Sequence, residues 1–429
     1  MNTIARIAKG MTLLGAVLIG ILGLVLFFIM LSNANEGDLP TASADGEWSV
    51  YLLNQDPVEL VQVSHDGTVR AFDLGVRDIG TFGGQIAVAA DGSEAAYCQT
   101  AVANDGAVDA YPVVKLIIRD FETNSTRVET EIGSSDGCRI NSQSYSADHA
   151  LLAVGLINPS TTPEDTFWRL LIIDTSTGQI VHELNSESAI AVANGQSVGL
   201  SNYFMPEPRL VSDNEIIFTQ IAWRSDGLPV GDGVRWNWVD NTLTRAANWG
   251  NHTVDSIMET GELVWAGYDI ARPAADPGGP IPQSNVVYVK DASGTVIPVF
   301  YTEDYVIIDT LFINNGQEIA VFMLEGFDPE NPPQGNQPTQ WVAVDRAGNV
   351  RTLHADLLNF SQMTGAPDGY ALLTMVNPTD GSVNPTSTLT RYHNGDESTL
   401  WTTDHGYWMA VGQSSVTAAD GMAAFVPAN

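Results

Sequence analysis

The sequence predicts an all-β fold: four-stranded antiparallel sheets repeated around a ring, behind one apolar N-terminal helix. Three observations carry this reading. After residue 46 the chain consists of short β-branched and aromatic runs, broken at regular intervals by Gly, Asp and Asn turns, with little helical periodicity. Two kinds of hairpin alternate strictly along it, seven of each. Ahead of them, residues 11–31 run MTLLGAVLIGILGLVLFFIML, 21 positions without a charge.

The apolar run comes first in the chain. At about 1.5 Å rise per residue it covers the roughly 30 Å hydrocarbon core of a bilayer. Arg6 and Lys9 precede it, and Glu36 and Asp38 follow it. That bias places the N-terminus in the cytoplasm and the remainder outside. A cleavable signal peptide is the alternative, because Ser32-Asn33-Ala34 offers small residues at a cleavage site. The apolar run exceeds the about 7–15 residues usual for such a peptide. Export follows on either reading. The expected division is a cytoplasmic 1–10, a transmembrane signal-anchor helix at 11–32, a small, polar, acidic tether at 33–46 and a β domain at 47–429.

The hairpins of the first kind are 58–74, 116–132, 169–184, 234–247, 285–300, 339–354 and 387–402. Those of the second kind are 83–99, 138–157, 208–223, 254–268, 307–324, 360–376 and 408–426. Turns of the first kind recur about every 55 residues, which gives seven units of four strands. Four-stranded sheets repeated radially make a β-propeller. The expectation is therefore a seven-bladed β-propeller with four-stranded antiparallel blades, preceded by one N-terminal transmembrane helix. A pair of β-sandwiches, or a six-bladed ring with one misread unit, is the competing architecture. The chain opens on a hairpin of the first kind and closes on one of the second, so 408–426 is expected to complete the blade begun by 58–74. Residues 48–53 (WSVYLL) read as a further strand of that shared blade.

Ala366-Pro367-Asp368-Gly369-Tyr370-Ala371-Leu372-Leu373 and Ala90-Asp91-Gly92-Ser93-Glu94-Ala95-Ala96-Tyr97 resemble the "SPDG, then apolar strand" unit of TolB-like and WD40-like bacterial propellers. Ile172-Ile173-Asp174-Thr175-Ser176-Thr177-Gly178 resembles their "apolar strand, D, x, x, T, G" hairpin. The resemblance covers 48–426 at the level of architecture. Ser212-Asp213-Asn214-Glu215 departs from it, lacking both Pro and Gly, and the WD dipeptide is absent. What it implies is a fold and a habit of binding proteins or small ligands, not a reaction.

Charge bounds the partners. The chain has 51 acidic and 18 basic residues and a net charge of −33, with lysine only at Lys9, Lys115 and Lys290. Such a surface repels phosphate backbones, so no nucleic-acid partner is expected. Two readings of the acidity stand: solubility in a salty or acidic habitat, and attraction to cations or basic partners. The even scatter of the acids favours solubility.

The antiparallel order places within-hairpin turns at one end of the ring and connections between hairpins at the other. Six of those connections are long: 100–112, 158–167, 224–233, 269–284, 325–338 and 377–386. They carry Asp105, Asp109, Glu164, Asp165, Asp226, Asp232, Asp269, Asp276, Glu325, Asp328, Glu330 and Asp380 against Arg224 and Arg272 alone. Loops on a rigid scaffold commonly carry recognition, so these twelve carboxylates are the candidate partner-binding residues. Loop growth without a ligand is the bland alternative. Cys98 and Cys138 fall near this end in neighbouring blades. A disulfide between them and two separate buried thiols are both open.

The chemistry is sparse. Gly195-Gln196-Ser197-Val198-Gly199 fits G-x-S-x-G, but no parallel sheet and following helix surround it, so it reads as chance. His65, His149, His182, His252, His354, His393 and His405 never fall at metal-ligand spacing. No EF-hand loop occurs; no cofactor is expected, with a Ca²⁺ ion held by carbonyls and scattered carboxylates as the alternative. Val234, Trp236 and Trp238 alternate at period two, which reads as a buried strand face rather than a glycan platform. Three sequons begin at Asn124, Asn251 and Asn359. Few charges stand at inward positions of the inner hairpins, Arg139 and Asp309 being the exceptions. The expected function is a protein-binding or scaffolding module rather than an enzyme; a propeller lactonase or glycan hydrolase, and a small-ligand or glycan sensor, are the alternatives.

Overall fold

The computed structural model describes residues 48–412 apart from 56–57, 76–85, 90, 102–111, 136, 147, 159–166, 186–207, 224–228, 251–255, 259–260, 268–283, 326–338, 356–359, 367, 377–384 and 394. The expected membrane segment and tether, the 195–199 motif and the sequons at Asn251 and Asn359 lie outside those residues. No helix among the described residues is long and apolar enough to cross a membrane.

Strands are numbered in chain order. Blade 1 begins with β1 (Ser49–Gln55), β2 (Val58–Ser64) and β3 (Val69–Phe72). Blade 2 is β4 (Ile86–Val88), β5 (Glu94–Ala101), β6 (Val113–Asp120) and β7 (Ser125–Ser134). Blade 3 is β8 (Gly137–Arg139), β9 (Leu151–Asn158), β10 (Phe167–Asp174) and β11 (Ile180–Asn185), with a short 3-10 turn at Ser142–Ser144 after β8. Blade 4 is β12 (Arg209–Ser212), β13 (Glu215–Trp223), β14 (Pro229–Asn237) and β15 (Thr242–Gly250). Blade 5 is β16 (Ser256–Ile257), β17 (Leu263–Gly267), β18 (Val286–Lys290) and β19 (Val296–Tyr301). Blade 6 is β20 (Tyr305–Ile313), β21 (Glu318–Glu325), β22 (Thr339–Asp345) and β23 (Val350–His354). Blade 7 is β24 (Phe360–Ala366), β25 (Gly369–Val376), β26 (Thr386–His393) and β27 (Asp396–Thr403). The last strand, β28 (Trp408–Gly412), returns to blade 1.

All pairings are antiparallel, in sequence order within each blade except blade 1, where β28 stands before β1. Seven four-stranded blades result. Blades 4 and 5 are joined by a single bridge between Gly250 and Gly267. The ring closes within blade 1. β28 pairs with β1, the strand expected at 48–53 in the shared blade: Leu52 pairs with Met409 and Leu53 with Trp408. Burial suits β1 to that place. Val50, Tyr51, Leu52 and Leu53 are all buried, so β1 is covered on both faces and suits an interior place in the sheet. Residues 413–429 lie outside the described residues.

The core is divided by the ring. Seven apolar clusters fill the seams between successive blades. Strand alternation sorts side chains between them: in β17, Leu263 and Trp265 face blade 4, while Val264 and Ala266 face blade 6. Each such buried Val, Leu or Ile stabilises by about 1.5–3 kcal/mol. Val234, Trp236 and Trp238 lie in the seam between blades 3 and 4, where Trp236 and Trp238 meet edge to face at 5.9 Å.

Candidate functional site

The order of strands within a blade fixes what each end of the ring carries. Turns joining the first to the second strand, and the third to the fourth, lie at one end. Connections from the second to the third strand, and from one blade to the next, lie at the other. Of the candidate carboxylates, Asp105, Asp109, Glu164, Asp165, Asp226, Asp269, Asp276, Asp328, Glu330 and Asp380 fall in connections outside the described residues. The other two are strand residues. Asp232 sits in β14 opposite Gln220, because the β13–β14 ladder runs on to Trp223 and Pro229. Glu325 closes β21 opposite Tyr305. The connection expected at 224–233 therefore shortens to 224–228.

Cys98 of β5 and Cys138 of β8 are joined by a disulfide with Cα atoms 6.3 Å apart. It crosses the seam between blades 2 and 3, and both sulfur residues belong to that seam's core.

The innermost strands carry more polar side chains than the sequence suggested. Arg139 of β8 and Asp309 of β20 are buried, as are Arg209 of β12 and Gln362 and Thr364 of β24. Arg209 donates to the Gln143 side chain at 2.7 Å, and Asn141 donates to the Pro208 carbonyl at 3.2 Å, linking the inner edges of blades 3 and 4. Asp309 follows a register shift after Ile307, a bulge that re-aims the side chains beyond it. The signal for Arg209 was its place at the head of an inner strand; its neighbours Leu210 and Val211 hid it in an apolar run.

The short-turn end has a geometry that sequence reading missed. Arginines there reach across seams. Arg70 of β3 donates to the Phe121 carbonyl of blade 2 at 2.9 Å. Arg127 of β7 holds Glu94 at 2.6 Å and donates to the Thr175 carbonyl of blade 3 at 2.8 Å. Arg391 of β26 pairs with Asp368 and donates to the His65 carbonyl of blade 1 at 3.4 Å. Arg346, in the turn after β22, joins Glu262 of blade 5 at 3.0 Å with both side chains buried. Between blades 6 and 7, His354 lies 3.1 Å from the Tyr370 hydroxyl and edge-on to Tyr392. Burial lowers the His354 pKa, which keeps the ring neutral at pH 7.

No family model matches the chain, and no curated protein matches it. Solved structures do. The β-propeller domain of the Trilobed protease from Pyrococcus furiosus aligns over 85% of this chain and 97% of its own, with a TM-score of 0.50 and 11% identity. This chain is a seven-bladed β-propeller. A prolyl endopeptidase aligns over 87% of the propeller chain at a TM-score of 0.51 and 11% identity, and the propeller spans 50% of that chain. TolB from Acinetobacter baumannii aligns over 72% of this chain and 63% of its own, at a TM-score of 0.39 and 17% identity. The likeness is one of fold.

Proposed function

We propose that the chain is a membrane-tethered extracytoplasmic propeller that binds a protein partner through the long-connection end of the ring. The observation that carries this reading is topological: a rigid ring presents the second-to-third-strand connections of its blades together at one end, and the stretches 102–111, 268–283 and 326–338, with six carboxylates against one arginine, are among them. The apolar segment at 11–32 supplies the tether, and a disulfide suits an oxidising compartment. The surplus of carboxylates favours a partner with a basic face.

The test is affinity purification of the detergent-solubilised full chain, followed by mass spectrometry of what accompanies it. A specific partner is expected, and it should be lost when 269–284 and 325–338 are replaced by short turns. Unchanged binding after that graft would sink the proposal. The second reading, a propeller enzyme, draws on the buried polar side chains of the inner strands, Arg139, Arg209, Asp309 and Gln362. It predicts turnover of a sugar lactone or glycan that is abolished in Asp309→Asn while the variant keeps its fold.

A further inference from the structure

Of the three sequons, Asn124-Ser125-Thr126 alone lies wholly within the described residues. It sits where β6 turns into β7, at the short-turn end of blade 2, and Glu122 through Thr126 are all exposed. An asparagine, any residue but proline, then serine or threonine is the acceptor pattern for N-linked glycans in exported proteins.

The geometry of the turn presents the reacting group outward. Asp120 Oδ1 accepts from the Thr123 amide and hydroxyl, each at 2.7 Å, and the Thr123 and Ser125 hydroxyls lie 2.8 Å apart. Arg119 reaches from β6 and donates through Nη2 to the Asn124 carbonyl at 3.1 Å and to Asn124 Oδ1 at 3.0 Å. A guanidinium can only donate, so the amide oxygen must face Arg119. The Nδ2 at the other end of the planar amide donates to no protein atom among the described residues. The Thr126 hydroxyl also makes no hydrogen bond among the described residues. Both groups that the acceptor pattern requires are therefore exposed and uncommitted.

Turn geometry by itself accounts for the asparagine but not for the threonine. Asn124 adopts φ 50°, a left-handed conformation that asparagine and glycine tolerate. Asn241 holds the same place in blade 4, also at φ 50°, and glycine holds it in blades 3, 5 and 6 as Gly178, Gly294 and Gly348. Register matches Thr126 to Leu243. Thr126 lies opposite Arg119, next to the Asp120–Ser125 pair, and Leu243 lies opposite Trp236, next to the Asn237–Thr242 pair. Leu243 packs against the core between blades 3 and 4, whereas Thr126 is exposed. Blade 4 thus has the asparagine turn without a hydroxyl two residues on.

We propose that Asn124 carries an N-linked glycan. The donor is a lipid-linked oligosaccharide diphosphate. A bond forms between Asn124 Nδ2 and the anomeric carbon of the first sugar, and the bond from that carbon to the diphosphate oxygen breaks. The lipid diphosphate leaves with the electron pair, and Nδ2 gives up one proton. The glycan is bulky and hydrated. It covers the short-turn end of blade 2 and leaves the proposed partner face, at the opposite end of the ring, open. The proposal rests on the export proposed above, since such acceptors belong to exported proteins.

The experiment is peptide mass spectrometry on the full chain, purified from the membranes of the cells that naturally make it. Trypsin releases residues 120–127 as one peptide, since Arg119 and Arg127 bound it. Most copies of that peptide are expected to carry added sugar mass on Asn124. Asn124→Gln should lose it completely. Thr126→Ala keeps the amide, removes only the hydroxyl and should lose it as fully. If one variant fails to fold, the other carries the comparison. The same digest, made without reductant, reports whether Cys98 and Cys138 are linked. A bare Asn124 beside an intact disulfide overturns this proposal alone; a bare Asn124 with both thiols reduced overturns the export reading with it. Sugar retained in either variant also overturns the assignment to this sequon.

Discussion

Gly369 and Gly92 stand in the same short motif for different physical reasons. Gly369 opens β25 against the end of β26, where a Cβ would overlap the Tyr392 carbonyl oxygen. Gly92 adopts φ 69°, and a Cβ there would lie 2.5 Å from the Tyr51 hydroxyl of the neighbouring blade. The motif was legible because glycine needs are local. The arginine contacts across seams were not, because three of them end on the carbonyls of Phe121, Thr175 and His65, and a carbonyl leaves no mark on residue identity. The Arg346–Glu262 pair is the buried member of this set. Removing one partner strands a charge where water cannot reach it. Arg346→Met is expected to lower stability by about 3 kcal/mol in urea unfolding, and the double variant with Glu262→Gln to recover much of that loss. Equal losses in the two variants would show that the charges do not act as a pair.

At the scale of the strand and turn, the repeat is written by Asp. Asp66, Asp120, Asp174, Asp291 and Asp345 each accept from a backbone amide two to four residues on, at 2.7–2.9 Å. These bonds close the turn between the third and fourth strands in blades 1, 2, 3, 5 and 6. In blade 4, Asn237 takes the same part, accepting from Val239 and Asp240. The spacing of these turns made seven units readable in sequence. Strand ends were less readable: β13 and β14 continue through Gly231 and Gly233, residues that signal a loop, because the ladder's other partners are long β-formers. The same bonds hold the carboxylates ionised. The Thr68 amide lowers the Asp66 pKa, the Ser176 hydroxyl that of Asp174, the Ser293 hydroxyl that of Asp291 and the Asn349 side chain that of Asp345. With folded pKa values below the unfolded value of about 3.9, their stabilisation is complete above that pH and is lost as pH falls through the folded values. Fluorescence-monitored unfolding should therefore show stability dropping below about pH 4. The double variant Asp174→Asn and Asp345→Asn should show a shallower drop; an identical slope would mean that these turns do not set the acid limit.

At the scale of the whole molecule, two devices hold the ring. One is the pairing of β1 with β28; the other is the Cys98–Cys138 bridge, with a sequence separation of 40. Closing a loop of that length restricts the unfolded chain by about 3–4 kcal/mol. The variant with both Cys98→Ala and Cys138→Ala should melt at lower temperature by a matching amount, and reductant should shift the wild-type protein alone. No response to reductant would show that the bridge does not form in the purified protein. The ring itself was legible because its turns repeat and its ends differ in kind. The candidate partner face was legible only as an arrangement of long acidic connections, since recognition residues follow no periodicity.

Closure through β28 also sets a timetable. The Tyr407 hydroxyl meets the Glu59 carboxylate across 348 residues, and Leu53 waits for Trp408. During synthesis, blade 1 emerges first and is completed last. At translation rates of about 5–20 residues per second, the open edge of β1 stays unpaired for some tens of seconds. That edge carries the Val50–Leu53 run, buried in the finished ring and sticky before it. The growing chain thus carries this apolar edge unpaired until β28 emerges, which makes it a natural client for a holding chaperone.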